Sequence, residues 1–585
     1  VIKDINETTA SISVEYQITS QNSDGDTELY DVKEFYRMRY LDTRIYLLDF
    51  QRSANQVFDG KLPVYSDDGI ILGVRDKNVE YMMNDSATVL AFVQEGDLWS
   101  YSPGNGKVNQ VFSFRKTEDG DFRDSRIQHD IKIVRVTDAG DIDFVLYGYM
   151  NRGSHEGYEG IGVYHYNPDK NVAEERAFIP VSESFEFLKK DLEKLSYVNE
   201  ENELFLLLAK SLYKINIEDN SSEVLEEGIK NANFVSSDNN DHAAWLVSEG
   251  DEKGNIKEIN FDTGETRLIE HEKGKRLRAV GFMNEDLIYG ILNKSDILTD
   301  EDGHKSEGIS ILRIEDFDGN VKKEYQKDGL YITDISVGST LIEFELSAKS
   351  GDTSYVAQKK DNIMNNKKAT ENTVKIELVS ASRTGVRVKL ALNGTAQTDS
   401  PLTMYAKVSS TNQKDIVLDT QIPQEFTYYV YGQGGLDSIY TDPAKAILQA
   451  DALGGVVLNR AQQYIWERGN KKTKTQMDTA ELPEAILAGT MDIKTLKKSV
   501  KKTGTVIDLT GCSLDSVLYE VSAQRPVIAK TGSDTSVVIV GYDEYNTYLY
   551  DPVKKETYPY GMNDSTDLFQ KAGNVFITYV ESVSY

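Results

Sequence analysis

Short apolar runs, separated by acidic turns rich in Gly and Asn, fill the chain from its start to about residue 430. One unit recurs: an apolar run, a turn, a second run carrying an aromatic, and another turn. It is visible in TVLAFVQEGDLWSYSPGNGKVNQVFSF (88–114) and in ELFLLLAKSLYKINIEDNSSEVLEE (203–227). It returns in HAAWLVSEGDEKGNIKEINFDTGETRLIE (242–270) and in 286–325, which ends SILRIEDFDGNVKKEY. Apolar positions such as Leu98 and Tyr101, or Leu212 and Ile215, mark the second run as a half-buried strand. Turns such as Asp262-Thr263-Gly264 and Asp318-Gly319-Asn320 supply hairpin chemistry, because Gly and Asn tolerate positive φ.

The unit repeats at roughly 40 to 50 residues, the length of one four-stranded propeller blade. A blade cannot bury both of its faces alone, so a ring of blades is the economical solution. The spacing predicts an all-β propeller of about seven or eight blades over residues 1–430. Two β-sandwiches are the alternative, since they also use short strands at regular spacing.

Near residue 430 the pattern changes. YYVYGQGGLDSIYTDPAKAILQADALGG predicts a strand, a glycine hinge at Gly432-Gln433-Gly434-Gly435, and then a helix. Asp442-Pro443 has the chemistry of a helix start, an acid at the cap and Pro at the first helical position. Ala446, Ile447, Ala450 and Leu453 follow at helical spacing. Val456 to Trp466 predicts a second apolar-faced helix, and 481–489, 494–501 and 513–522 predict more, before a group of strands. Helices followed by strands within 431–585 describe an α+β domain. The fold class expected is therefore multidomain.

A chain of 585 residues exceeds one ordinary core, which agrees with this division. The 95 acidic residues outnumber the 65 basic ones, a net charge of -30, which argues against a nucleic-acid partner. No apolar run approaches the roughly 20 residues needed to span a bilayer, so this segment is not expected to insert in a membrane. The chain begins at Val1, and a removed N-terminal signal peptide or membrane anchor is the expectation drawn from that. The 34 tyrosines and long Asn/Asp/Ser/Gly turns favour an exported, extracellular protein tethered to the cell membrane. The single cysteine, Cys512, excludes an internal disulfide framework and a Cys-based zinc site.

Chemistry-bearing residues of the β-rich part are few. The insertion GYMNRGSHEGYEGIGVYHY (148–166) holds His155, Glu156, Glu159 and His165, but loop His and Glu residues without fixed geometry are not a metal site. SDGDTE (23–28) and TDEDGHKSEG (299–308) lack the full spacing of a calcium loop and are expected to be acidic hairpin tips. No metal or other cofactor is expected.

The most informative stretch is RPVIAKTGSDTSVVIVGYDEYNTYLYDP (525–552), three short strands with GYD closing one and DP closing the next. It resembles the C-terminal half of the C39-like cysteine peptidases, a branch of the papain-like fold. The resemblance covers about the last 150 residues and implies a catalytic His opening the GYD strand and an orienting Asp in the DP pair. Asp551-Pro552 supplies the Asp. Asp534-Thr535-Ser536 stands where the His belongs, and every one of the six histidines precedes residue 305. The family's Cys opens the first long helix of the domain, after a Gln. We place that position at Ala452 to Val457, where Gly455 and Val456 offer no nucleophile. The layout, with YVYGQGG and QQYIWERGN, is also similar to envelope proteins of anaerobic Firmicutes that join a propeller to a C39-like domain.

Two of three catalytic positions are thus absent, leaving Gly455, Val456, Thr535, Ser536 and Asp551 as remnants of a site. A thiol needs a base to become an effective nucleophile. Cys512 is the alternative nucleophile of a peptidase completed by a relocated or partner-supplied group, but a small buried hydrophobe is its commoner role. As structural residues, Asp551 is expected to cap its turn and Tyr542 to pack on the sheet. The function expected is a non-catalytic binding or scaffold protein of the cell envelope. Its ligand would be a peptide, protein or cell-wall component, held by the propeller face and a remnant peptidase cleft. A glycan-active propeller using an Asp/Glu pair is the third reading, and the abundance of carboxylates does not discriminate it.

Overall fold

The structure is a computed structural model. It describes the chain except residues 7, 117–119, 231–232, 249–252, 300–304, 339, 366–373, 394–401, 411–414, 419–426, 501–503, 534 and 582–585. The fold is mostly β. The first three recurring units each form three consecutive antiparallel strands of one sheet, as in Leu90–Gln94, Asp97–Ser102 and Lys107–Phe112, and the unit at 286–325 does so with the hairpin Ile297–Thr299/Lys305–Glu307 inserted after its first strand. A further strand before each unit completes its sheet, so the unit supplies three of the four strands but not the first.

Successive sheets occupy 81–112, 129–180, 196–226, 234–269, 275–326 and 331–364. A further sheet joins Tyr65–Ser66 and Gly69–Ile71, from early in the chain, to Gly385–Ala391 and Lys375–Ala381 from much later. That makes seven sheets in a propeller-like succession whose early and late strands share one sheet. Leu402–Tyr405 and Lys407–Ser410 add parallel edge strands to the sheets of 81–112 and 129–180.

Apolar side chains shared by neighbouring sheets hold the succession together. Phe112, Phe144 and Tyr164 join the sheets of 81–112 and 129–180, with Phe144 and Tyr164 stacked at 5.1 Å between ring centroids. Phe205 and Phe261 join the next pair at 4.5 Å. The 65–71/375–391 sheet packs on 81–112 through Leu390, Phe92 and Trp99. Burying each such ring contributes on the order of 2 kcal/mol.

Residues 2–56 correct the expectation that the propeller begins at residue 1. They form a separate four-stranded sheet, Ile2–Ile5, Thr9–Gln21, Thr27–Leu41 and Arg44–Gln56. Strands of 13 and 15 residues are too long for a blade, and uninterrupted alternation lets them pair along their whole length. The SDGDTE segment is the turn between two of them, where the Asn22 carboxamide accepts from the amides of Asp24 and Asp26. This sheet touches both the succession and the last part of the chain. Arg115 binds Asp31 at 2.9 Å on one side, and Arg37 donates to the Arg468 carbonyl on the other.

From residue 428 onward the chain forms two further sheets. One orders Gly435–Tyr440, Tyr428–Gly432, Val456–Asn459 and Tyr464–Glu467; the other is built on Ser536–Tyr542. The helix Pro443–Leu453 forms as its sequence predicts, with the Asp442 carboxylate accepting from the amides of Ala444 and Lys445. Val456 to Trp466 is a hairpin, not a helix. Val456 and Val457 are β-branched, the edge of Tyr428–Gly432 is free to pair, and Gln462 turns the chain at φ 60°. The 432–435 segment is likewise a tight hairpin turn, not a hinge. Gln433 and Gly434 have φ of 54° and 86°, and a Cβ on Gly434 would sit 3.2 Å from the Phe35 ring.

Candidate functional site

The peptidase-like strands place their motif residues side by side. Ser536–Tyr542 pairs antiparallel with Asn546–Asp551 and ends in the GYD sequence. Ser536 Oγ donates to the Gly489 carbonyl at 2.5 Å, and a Cβ on Gly489 would meet both Pro552 and Ser536. Thr535 accepts from the Thr531 hydroxyl at 3.0 Å. Asp534 lies outside the described residues. One oxygen of Asp551 accepts from the amides of Val553 and Lys554 at 2.9 and 3.1 Å. These bonds, that of Lys554 foremost, hold the Asp551 carboxyl below its usual range. The carboxylate caps a turn. Tyr542 sits on the sheet, and its hydroxyl donates to the Lys472 carbonyl at 2.7 Å.

Gly455 and Val456 are not at a helix start. Gly454 closes the helix Pro443–Leu453 in the left-handed conformation, φ 63°, and Val456 opens a strand. The first helix after residue 428 starts at Asp442-Pro443-Ala444, which also offers neither thiol nor hydroxyl. Spacing alone could have found this, because Pro443 marks the start.

Cys512 is fully buried, just before the Leu514–Ser522 helix that Ser513 caps. Its sulfur faces the Ala444 carbonyl at 3.9 Å. Burial pushes the thiol up to about 12, and the negative charges of Glu520, Asp442 and Asp508 add to the shift. Leu509, three residues before it, donates to the Phe576 carbonyl and so continues the edge strand Gly504–Asp508, and the strand bearing Asp551 lies four strands across that sheet from this edge, roughly 19 Å at ordinary strand spacing. The motif residues and the thiol are not brought together.

The metal candidates of the 148–166 insertion are separated as well. His155 meets Glu175 at 2.9 Å and stacks on Phe178, whereas His165 meets Asp143 at 2.7 Å. Glu156 pairs with Arg123, and Glu159 opens the strand Glu159–Asn167. Within 299–308, residues 300–304 lie outside the described residues, and Lys305–Glu307 pairs with Ile297–Thr299.

A second site has no counterpart among the sequence-derived candidates. A cleft of about 1130 Å³ opens where the sheets of 234–269, 275–326 and 331–364 meet. The strand Lys275–Met283 forms one wall, and its period of two exposes Arg276 and Arg278 while burying Leu277 and Ala279. Lys230 and Lys253 stand on the same rim, both exposed. Glu307 and Glu345 also line the cleft. Hydroxyls line it as well, with Thr333 and Ser347 sharing a hydrogen bond of 2.7 Å. Tyr355 is fixed by donating to the Asp296 carbonyl at 2.8 Å. The signal in the sequence was the basic run KGKRLR (273–278), anomalous in so acidic a chain.

No family model matches the chain, and no curated protein matches it in sequence. Among solved structures, the chain is similar over a small part of its length to a protein described as a C39-like peptidase from Bacillus anthracis. The identity is 22% over 16% of this chain and 58% of that one, with a TM-score of 0.14. The tricorn protease is 13% identical over 68% of this chain and 43% of its own, with a TM-score of 0.27. The β-propeller domain of the Trilobed protease from Pyrococcus furiosus is 10% identical over 62% of this chain and 97% of its own, at 0.24. The chain spans less than two thirds of the first two proteins, and at these scores the likenesses say nothing about activity.

Proposed function

We propose that the chain is an extracellular binding protein of the cell envelope, tethered to the membrane, that holds a peptide, protein or wall component without hydrolysing it. In this reading the seven sheets are the blades of a closed propeller, and residues 431–585 are a degenerate C39-like domain of papain-like fold. One observation carries the proposal: the only thiol is sealed in the core, and no histidine follows residue 304 to serve it. A cysteine peptidase needs nucleophile, base and orienter within hydrogen-bond reach. Of these the GYD and DP strands keep only Asp551, and its oxygen is engaged by turn amides. The location rests on composition, and no helix among the described residues is long and apolar enough to cross a membrane.

Co-sedimentation of the purified chain with isolated cell walls, alongside retention on an immobilised peptide library, tests the binding claim. Saturable retention on one of the two, with the retained material intact, is expected. Retention on neither would remove the proposal.

A further inference from the structure

We propose that the cleft between the sheets of 234–269, 275–326 and 331–364 is a binding site for an acidic oligosaccharide, a chain of sugar rings bearing carboxylates. The inference deepens the binding reading, on which it rests, by naming a ligand class for the propeller-like face.

Charge is the first argument. Acidic residues outnumber basic ones 95 to 65, and several arginines elsewhere in the succession are consumed in ion pairs. Arg115 holds Asp31, Arg135 holds Asp143, Arg267 holds Glu258 and Glu315, and Arg313 holds Glu324. Among the described residues, Lys230, Lys253, Arg276 and Arg278 have no carboxylate partner, and all four line one cleft. Only Glu307 and Glu345 oppose them within its walls, so the described lining is net cationic. At physiological salt the Debye length is about 8 Å, so a ligand in the cleft responds to these groups and not to the charge of the whole chain.

Shape and surface chemistry narrow the class. The volume, about 1130 Å³, exceeds what a single small metabolite fills and suits several linked rings. Arg276 and Arg278 are two residues apart on one strand, about 7 Å, so their guanidinium forks address successive charged groups along an extended ligand. Ser248, Thr333, Ser347 and Ser354 contribute hydroxyls that both donate and accept, matching the dual character of sugar hydroxyls. Glu307 and Glu345 supply acceptors for the same groups. Tyr355, held in place through its own hydroxyl, offers a ring face. Four of the apolar lining residues belong to the cores on either side, Leu246, Leu277 and Ala279 to one cluster and Leu292 to the next. The cleft therefore combines apolar surface with cations and hydroxyls, and these charged and hydroxyl groups are what select an acidic sugar.

The test is calorimetric titration of the whole chain with galacturonate, glucuronate and mannuronate hexamers. Their methyl esters, a glutamate hexapeptide and a glycerol-phosphate hexamer serve as comparisons. At least one acidic sugar hexamer is expected to bind at least about tenfold more tightly than its methyl ester and than the peptide or the phosphate polymer. Arg276→Gln with Arg278→Gln should weaken that binding at least about tenfold. Lys230→Gln with Lys253→Gln should weaken it in the same direction. All four side chains are exposed, so an unchanged melting curve is expected for both variants and certifies their folding. Equal binding of acids and esters, tighter binding of the peptide or phosphate polymer, or binding indifferent to both pairs of substitutions would each overturn the inference. Chain retained on cell walls that binds no acidic hexamer would overturn this inference alone. Acidic hexamers bound by a chain that cleaves peptides would instead overturn the non-hydrolytic reading alone.

Discussion

The sulfur of Cys512 faces the carbonyl of Ala444 at 3.9 Å, inside the first turn of the helix Pro443–Leu453. The only thiol of the chain is thus close to that helix start but behind it, in the core formed with Ile447, Val517 and Phe576. Proximity in space has not produced a usable nucleophile, because burial favours the neutral thiol.

Cys512 should therefore be inert in the native chain. Treatment with an aromatic disulfide reagent should leave it unmodified until denaturant is added, and then modify it fully. Cys512→Ser, which buries a hydroxyl in the same place, should cost about 1–3 kcal/mol in urea unfolding. Rapid native modification would show that the thiol is open to solvent.

Glu520 gives a pH dependence whose sign follows from its surroundings. The side chain is fully buried, one oxygen meets Arg525 at 2.9 Å, and the other has no hydrogen-bond partner. Burial raises its carboxyl to about 7, only partly offset by Arg525. The protonated form is the one the fold favours, so its contribution is full below about 4.5 and is lost as pH rises through about 7. Between pH 5 and 8 the native chain should lose up to about 3 kcal/mol more stability than Glu520→Gln, because each tenfold change in a protonation equilibrium is worth about 1.4 kcal/mol. Parallel pH profiles for the two proteins would contradict this.

The pairing of early and late strands can be broken at one atom. A Cβ on Gly69 would lie 2.1 Å from the Leu390 carbonyl oxygen, inside the pairing of Gly69–Ile71 with Gly385–Ala391. Gly69→Val should destabilise the chain by about 3 kcal/mol and raise hydrogen exchange in both strands together. Exchange rising in only one of them would mean that the pairing does not hold them.

Gly434 joins the N-terminal sheet to the hairpin after residue 428. Its φ of 86° strains any L side chain there, and a Cβ would also crowd the Phe35 ring at 3.2 Å. Gly434→Ala should cost about 1–2 kcal/mol from backbone strain alone, and limited proteolysis should then separate residues 2–56 from the remainder sooner. An unchanged digestion pattern would count against that junction.

Much of this was legible in the chain because local signals and tertiary packing agree. The repeat at 88–114 names its three strands, and Asp442-Pro443 names a helix start, since turn and cap chemistry act over a few residues. What was hidden depends on partners distant in sequence. Val456 to Trp466 has apolar positions compatible with helix or strand, and the free edge of Tyr428–Gly432 decides for strand. Residues 2–56 look like blade strands until their length and their contacts with Glu467 and Arg468 are known. The cleft was least visible, because Lys230, Lys253 and the Arg276/Arg278 pair come from separate turns and strands, and only folding places them on one rim.

The measurement closest to the central claim is cleavage of a peptide library by the native chain and by Cys512→Ala, followed by mass spectrometry. Buried in the core, where its thiol stays protonated, Cys512 should contribute nothing. The account predicts the same absence of new termini from both proteins. Turnover by the native chain that disappears in Cys512→Ala would contradict it and make Cys512 a nucleophile.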